Sequence, residues 1–84
     1  MNRSEIFQML QELLTRLSRR LPAGFVLTEN SSLTGDLMID SADLVELVMD
    51  VEERFRIQVP DSALERLKTV GNVIDFVEQS QRAA

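Results

Sequence analysis

The stretch from Gly35 to Phe55, GDLMIDSADLVELVMDVEERF, sets one hydroxyl among carboxylates at the start of an apolar-periodic run. Ser41 stands between Asp40 and Asp43. Serine and aspartate are strong helix N-caps, because their side-chain oxygens accept from N–H groups that the first turn leaves unpaired. A serine in this place is a cap, or it offers its hydroxyl as an attachment point. Little else in the chain can do covalent chemistry. The 84 residues include no Cys and no His, which removes thiolates, disulfides, zinc-finger patterns and the commonest general base. No Ser/Lys or paired-carboxylate arrangement stands out, so neither a catalytic set nor metal ligands are expected. Asp36 and Asp40 lack the glycine and the run of oxygen ligands that an EF-hand calcium loop needs.

The elements that must position Ser41 follow from apolar spacing. Ile6, Leu10, Leu13, Leu14, Leu17 and Leu21 recur at three- and four-residue steps, which predicts a helix over about 4–20, capped by Ser4 and stopped by Pro22 and Gly24. Residues 23–40 form a long irregular connection with turn formers Asn30, Ser31, Ser32 and Gly35. Phe25, Leu27, Leu33 and Leu37 are placed to tack it onto the core. A second helix is predicted over 41–55, with Leu44, Leu47, Val48, Val51 and Phe55 in one core sector. Arg56 to Val59 form an extended exit, and Asp61 caps a short helix reaching about Leu67. Thr69 caps a last helix that turns Val70, Val73, Ile74 and Val77 inward and ends near Gln79. The tail SQRAA is expected to fray. No stretch alternates like a strand. The expected fold is all-α: residues 1–84 form one domain, a small bundle of three main helices and one short one, with a long loop after the first.

Charge is uneven along this frame. The net charge is −5, yet residues 31–60 alone hold seven Asp and Glu against Arg54 and Arg56. An acidic middle repels nucleic acid and anionic membrane and attracts basic protein surfaces. Asp43, Glu46, Asp50 and Glu53 share one sector of the second helix, either as a solvated face or as a docking face. Val45 and Met49 lie beside the core sector, at positions for partial burial or for an apolar partner contact. The N-terminus lacks an apolar run of signal-peptide length, and no segment is long and apolar enough to span a bilayer. The expected setting is the cytoplasm.

The run DLMIDSADLVELVMDVEERFRIQVPD followed by LKTVGNVIDFVE resembles the acyl carrier protein family of free-standing carriers. The resemblance spans about Leu33 to Glu78 and rests on an Asp-Ser motif, an acidic helix of the V-E-L-V-M type, an F-x-I-x-V-P-D exit and a late T-V-G helix, in that order. It implies that Ser41 is esterified to 4′-phosphopantetheine taken from coenzyme A, and that Asp40 caps the helix or helps present the serine to the phosphopantetheinyl transferase. It implies docking through Asp43, Val45, Glu46, Met49, Asp50 and Glu53 on basic patches of acyl-transferring, condensing and modifying enzymes, by a carrier that is itself a monomer and not an enzyme. It also implies an acyl shelter lined from the segments of Ile57, Leu64, Leu67, Val70 and Val73. The physics agrees: a chain without a thiol borrows one, and a phosphodiester suits a helix N-terminus. Three positions depart. Met38 and Ile39 replace the family's Gly-Ala before Asp-Ser, and Ala42 replaces the Leu after it, so Met38 and Ile39 become candidates to restore the apolar surface that Ala42 removes. Two other readings stand beside this one: a helical interaction module with an unmodified Ser41, and an aminoacyl or peptidyl carrier.

Overall fold

The computed structural model describes residues 1–17 and 24–83. The first apolar stripe folds as helix α1, Arg3–Leu17, with Ile6, Leu10, Leu13 and Leu14 buried. Its cap is Asn2 rather than Ser4. Asn2 Oδ1 accepts the Glu5 N–H at 2.8 Å, and the Asn2 N–H donates to Glu5 Oε1 at 3.0 Å. Asn2 has a carboxylate three residues on to return the bond, which is the requirement of a capping box, whereas Ser4 has Phe7 there. The expected end of α1 at Arg20, its apolar residue Leu21 and the stop at Pro22 lie outside the described residues. Gly24 takes a left-handed φ of 85°, which an L side chain resists.

Helix α2, Ser41–Phe55, matches its predicted bounds. Helix α3, Asp61–Leu64, is shorter than expected. Asp61 is its first residue rather than its cap; Pro60 precedes it with no side-chain hydrogen bond. The chain then continues in turns, with the Arg66 N–H on the Ala63 carbonyl at 3.0 Å and the Leu67 N–H on the Leu64 carbonyl at 3.1 Å. Helix α4, Val70–Ala83, starts as predicted. Thr69 Oγ1 accepts the Asn72 N–H at 3.1 Å, and Asn72 Oδ1 accepts the Thr69 N–H at 3.0 Å. The tail does not fray at Gln79. Gln79, Gln81 and Arg82 are good helix formers, and Arg82 in the last turn complements the dipole.

Both α2 and α4 pack against α1, and the buried apolar side chains of the described residues form one cluster. Between α2 and α4 the closure is looser. An apolar void of about 10 Å³, bounded by Leu47, Val51, Val59, Leu67, Val73 and Phe76, remains there. That is room for no more than one water, and the lining gives a water nothing to bond to.

The long connection is fastened to the start of α4 by main chain. Ser32 and Thr69 form an antiparallel bridge. The Leu33 N–H donates to the Lys68 carbonyl at 2.9 Å, the Val70 N–H to the Ser31 carbonyl at 3.1 Å, and the Gly71 N–H to the Glu29 carbonyl at 2.8 Å. Leu33 and Leu37 are buried as expected, while Phe25 and Leu27 pack half-buried at the edge of the core. Arg3 adds a charged tie that spacing does not foretell. Its Nε donates to Glu29 at 3.0 Å, and its Nη1 lies 2.6 Å from both Asp75 and Glu78. The hydrogen bond to Glu29, then that to Asp75, hold the guanidinium above its already high ordinary pKa. It therefore stays a cation throughout the range in which the fold exists.

Gly71 is where this fastening is tightest. A Cβ there would stand 3.1 Å from the Glu29 carbonyl oxygen. Glu29 is held on one side by the Gly71 N–H and on the other by Arg3, so it has little room to retreat. Gly71→Ala is expected to lower stability by about 1 kcal/mol, although Ala outranks Gly in a helix interior by about as much. The urea midpoint measures this, and a raised midpoint would mean that the loop yields freely.

Candidate functional site

The segment entering α2 is a closed knot of hydrogen bonds. The Ser32 carbonyl accepts the Asp36 N–H at 3.1 Å and the Leu37 N–H at 2.9 Å. Asp36 Oδ2 accepts the Ser32 N–H at 2.7 Å, and Ser32 Oγ accepts the Gly35 N–H at 2.9 Å. The Leu33 carbonyl then takes the Ile39 N–H at 2.9 Å. Asp40 follows in an extended conformation, φ −88° and ψ −176°. Its Oδ1 accepts the Asp43 N–H at 2.8 Å, and its carbonyl accepts the Leu44 N–H at 2.9 Å.

These bonds settle which residue caps α2. Asp40 does, and Ser41, the first helical residue, is exposed with its hydroxyl uncommitted among the described residues. The N–H groups of Ser41 and Ala42 likewise meet no acceptor among the described residues. An exposed hydroxyl beside two open donors, at the positive end of a four-turn helix, fits an ester of phosphoric acid.

The helix sorts its faces much as spacing predicts. Leu47, Val48, Val51 and Phe55 are buried, whereas Leu44, expected with them, is half-buried. Glu46 and Glu53 are exposed, and Asp43 and Asp50 are half-buried. Val45 and Met49 are 53% and 61% exposed, which places them on the surface rather than at its margin. Arg54, the first cation after the acidic stripe, lies 3.6 Å from Glu12 of α1. Glu52 closes the far end of the helix instead. Its Oε2 accepts the Val59 N–H at 2.9 Å, and its carbonyl accepts the N–H groups of Arg56 and Ile57. Arg56 sits in the left-handed region at φ 57° to make that helix end. Ile57 and Leu64 are half-buried rather than core, while Leu67, Val70 and Val73 are buried.

Met38 and Ile39 part company. Ile39 is 3% exposed and belongs to the core, so it cannot restore surface beside Ser41. Its neighbour Leu37 is buried as well, and between two inward side chains Met38 is forced out, 59% exposed. Met38 holds φ at 55°, a conformation that costs a residue with a Cβ roughly 1–2 kcal/mol. Spacing alone reveals neither that strain nor the roles of Arg3 and Glu52.

Residues 8–77 match the family model described as phosphopantetheine attachment site. The chain is 38% identical to an acyl carrier protein of Guillardia theta, over 99% of this chain and all of that one. It is 39% identical, with the same coverage, to an acyl carrier protein of Rubrobacter xylanophilus. Its fold superposes on a crystal structure of a mitochondrial acyl carrier protein of Toxoplasma with a TM-score of 0.70, at 28% identity, covering 100% of this chain and 99% of that one.

The cap makes a separable contribution to the fold. Asp40→Ala is expected to cost about 1 kcal/mol, and Asp40→Asn, which keeps an acceptor oxygen, a few tenths at most. Urea titration of both variants measures the difference. An unshifted midpoint in Asp40→Ala would mean that Ser41 takes over the cap, and with it loses its free hydroxyl.

Proposed function

The chain belongs to the acyl carrier protein family, and from that premise we propose that Ser41 is the residue that bears its arm. The family's members carry acyl groups as thioesters on covalent 4′-phosphopantetheine and are not themselves catalysts. The arm supplies the thiol that a chain without cysteine lacks. The observation that carries the assignment to Ser41 is the division of labour at the start of α2. Asp40 satisfies the helix, and that leaves an exposed hydroxyl and two unpaired N–H groups for an esterified phosphate. An interaction module with a merely structural serine would have no need of that division.

Asp43, Val45, Glu46, Met49, Asp50 and Glu53 form the docking face in this reading. The exposed apolar pair supplies contact area, and the carboxylates steer cationic partner surfaces toward it. The partners are the phosphopantetheinyl transferase and the acyl-transferring, condensing and modifying enzymes of a biosynthetic route. No described helix is long and apolar enough to cross a membrane. Residues 1–84 acting as one monomeric domain in the cytoplasm complete the assignment, and gel filtration of a soluble cell fraction checks it.

Incubation with coenzyme A, magnesium and a broad-specificity phosphopantetheinyl transferase is expected to add one phosphopantetheinyl group by intact mass, and none to Ser41→Ala. The initial rate is expected to fall several-fold between low and physiological ionic strength, because exposed charges are screened over about 8 Å there. A mass gain that survives in Ser41→Ala would overturn the site. A rate indifferent to salt would overturn docking by charge.

The void between α2 and α4 is the natural shelter for a short alkyl chain. It is too small as it stands, so the side chains that bound it, Val59 and Leu67 among them, must part to enlarge it. Each buried methylene gains about 0.8 kcal/mol before that opening cost. Longer acyl forms are therefore expected to melt higher, by roughly 4–8 °C for each net kcal/mol gained. Equal melting temperatures for two-carbon and eight-carbon forms would place the cargo outside the bundle.

A further inference from the structure

Met38 combines a disfavoured backbone with an exposed apolar side chain. Its φ of 55° is one that glycine adopts without cost, yet the residue present is methionine, 59% exposed. Packing does not ask for that side chain, because Leu37 and Ile39 on either side already fill the core. Strain kept at an exposed position, where it serves no packing, points toward function. The position is also close to the reacting hydroxyl: Met38 lies three positions before Ser41, so their Cα atoms are at most about 11 Å apart. On the far side of Ser41, the exposed Ala42 offers only a methyl group. Val45 and Met49 continue an apolar surface along α2, bordered by the carboxylates of Asp43, Glu46 and Glu53.

We propose that Met38 is a specificity-determining residue, read by the phosphopantetheinyl transferase that modifies Ser41. The inference rests on Ser41 being the attachment residue. A transferase that reaches the Ser41 Oγ must cover the surface around it, and Met38 lies within that footprint. The matching transferase surface carries cations opposite Asp43 and Glu46 and an apolar recess opposite Met38. Methionine suits such a recess, since its unbranched thioether chain adapts to the shape it meets.

The test measures arm transfer from coenzyme A to the full chain by a broad-specificity phosphopantetheinyl transferase with magnesium, at varied carrier concentration. Met38→Gly and Met38→Asn both tolerate a left-handed φ and both remove the apolar extension. Each is expected to raise KM about tenfold with kcat within twofold of the parent. Met38→Leu keeps the apolar contact and is expected to stay within threefold in both. Melting temperatures of the Gly and Asn variants are expected to equal or exceed the parent's, which separates a lost contact from a damaged fold. KM values within twofold of the parent in the Gly and Asn variants would overturn the proposal and leave the arm on Ser41 intact. Equal losses in the Leu variant would also overturn it, by tracing the effect to the backbone. If the parent takes no arm on Ser41, the functional reading falls and this inference with it.

Discussion

The site depends on a few main-chain hydrogen bonds between the long connection and the start of α4. Residues 29–33 are bound to residues 68–71 across the start of α4, through the Ser32–Thr69 bridge and the bonds on either side of it. That contact fixes Leu33, whose carbonyl holds the Ile39 N–H. Ile39, buried, fixes the direction in which the chain arrives at Asp40, and Asp40 caps α2. Each step determines the next because each backbone group, once withdrawn from water, must find a partner. Without the first contact the loop would be a long tether, and Ser41 would sit at a frayed helix end. The Arg3 tie to Glu29, Asp75 and Glu78 fastens α1 to that loop and to α4 as well.

A chain of this size buries only about 60–65% of what its unfolded form exposes, and this one leaves part of its interior loosely closed. Helix α1 is the platform on which α2 and α4 both lean, and the void lies on the side away from it, between those two helices. Packing that is firm around α1 and slack opposite it allows one wall to move without unfolding the rest. Val59, in the exit from α2, and Leu67, in the turns after α3, line that wall. They are held by Glu52 and by isolated turns rather than by a long helix, so they are the cheapest part of the bundle to displace.

Much of this is legible in the residues. Apolar periodicity locates the three longer helices because burial is the largest favourable term and it recurs at 3.6 residues. The bounds of α2 can be read closely because capping residues precede its apolar run and a break follows, although only the structure tells Asp40 from Ser41 as the cap. One difference has a clear local cause: single-residue preference favours Ser4 as the first cap, whereas that helix start is decided by a pair, Asn2 with Glu5. Thr69 is the cap expected, and Asn72 returns its bond. The roles of Arg3 and Glu52 depend on partners brought in by the fold, and no local pattern encodes those. Met38 and Ile39 look like a pair in the sequence, but the left-handed turn of the backbone at Met38 separates them, with Ile39 buried and Met38 exposed.

The acidic face of α2 is set apart from the side chains that stabilise the helix. Like charges at helical spacing oppose the helix by a few tenths of a kcal/mol per pair, and the sequence offers no cation among them before Arg54. The helix survives because its opposite face buries Leu47, Val48, Val51 and Phe55, each contributing on the order of 1.5–3 kcal/mol. Side chains on the exposed face therefore add little to folding, and charge or apolar contact there can change without endangering the core. The N-terminus of α2 is different. There the cap, the strained Met38 and the free hydroxyl occupy four consecutive residues, so a change that alters recognition also alters the helix start. The three departures from the family pattern, Met38, Ile39 and Ala42, fall at that helix start, where the cap and the free hydroxyl share one short stretch of backbone.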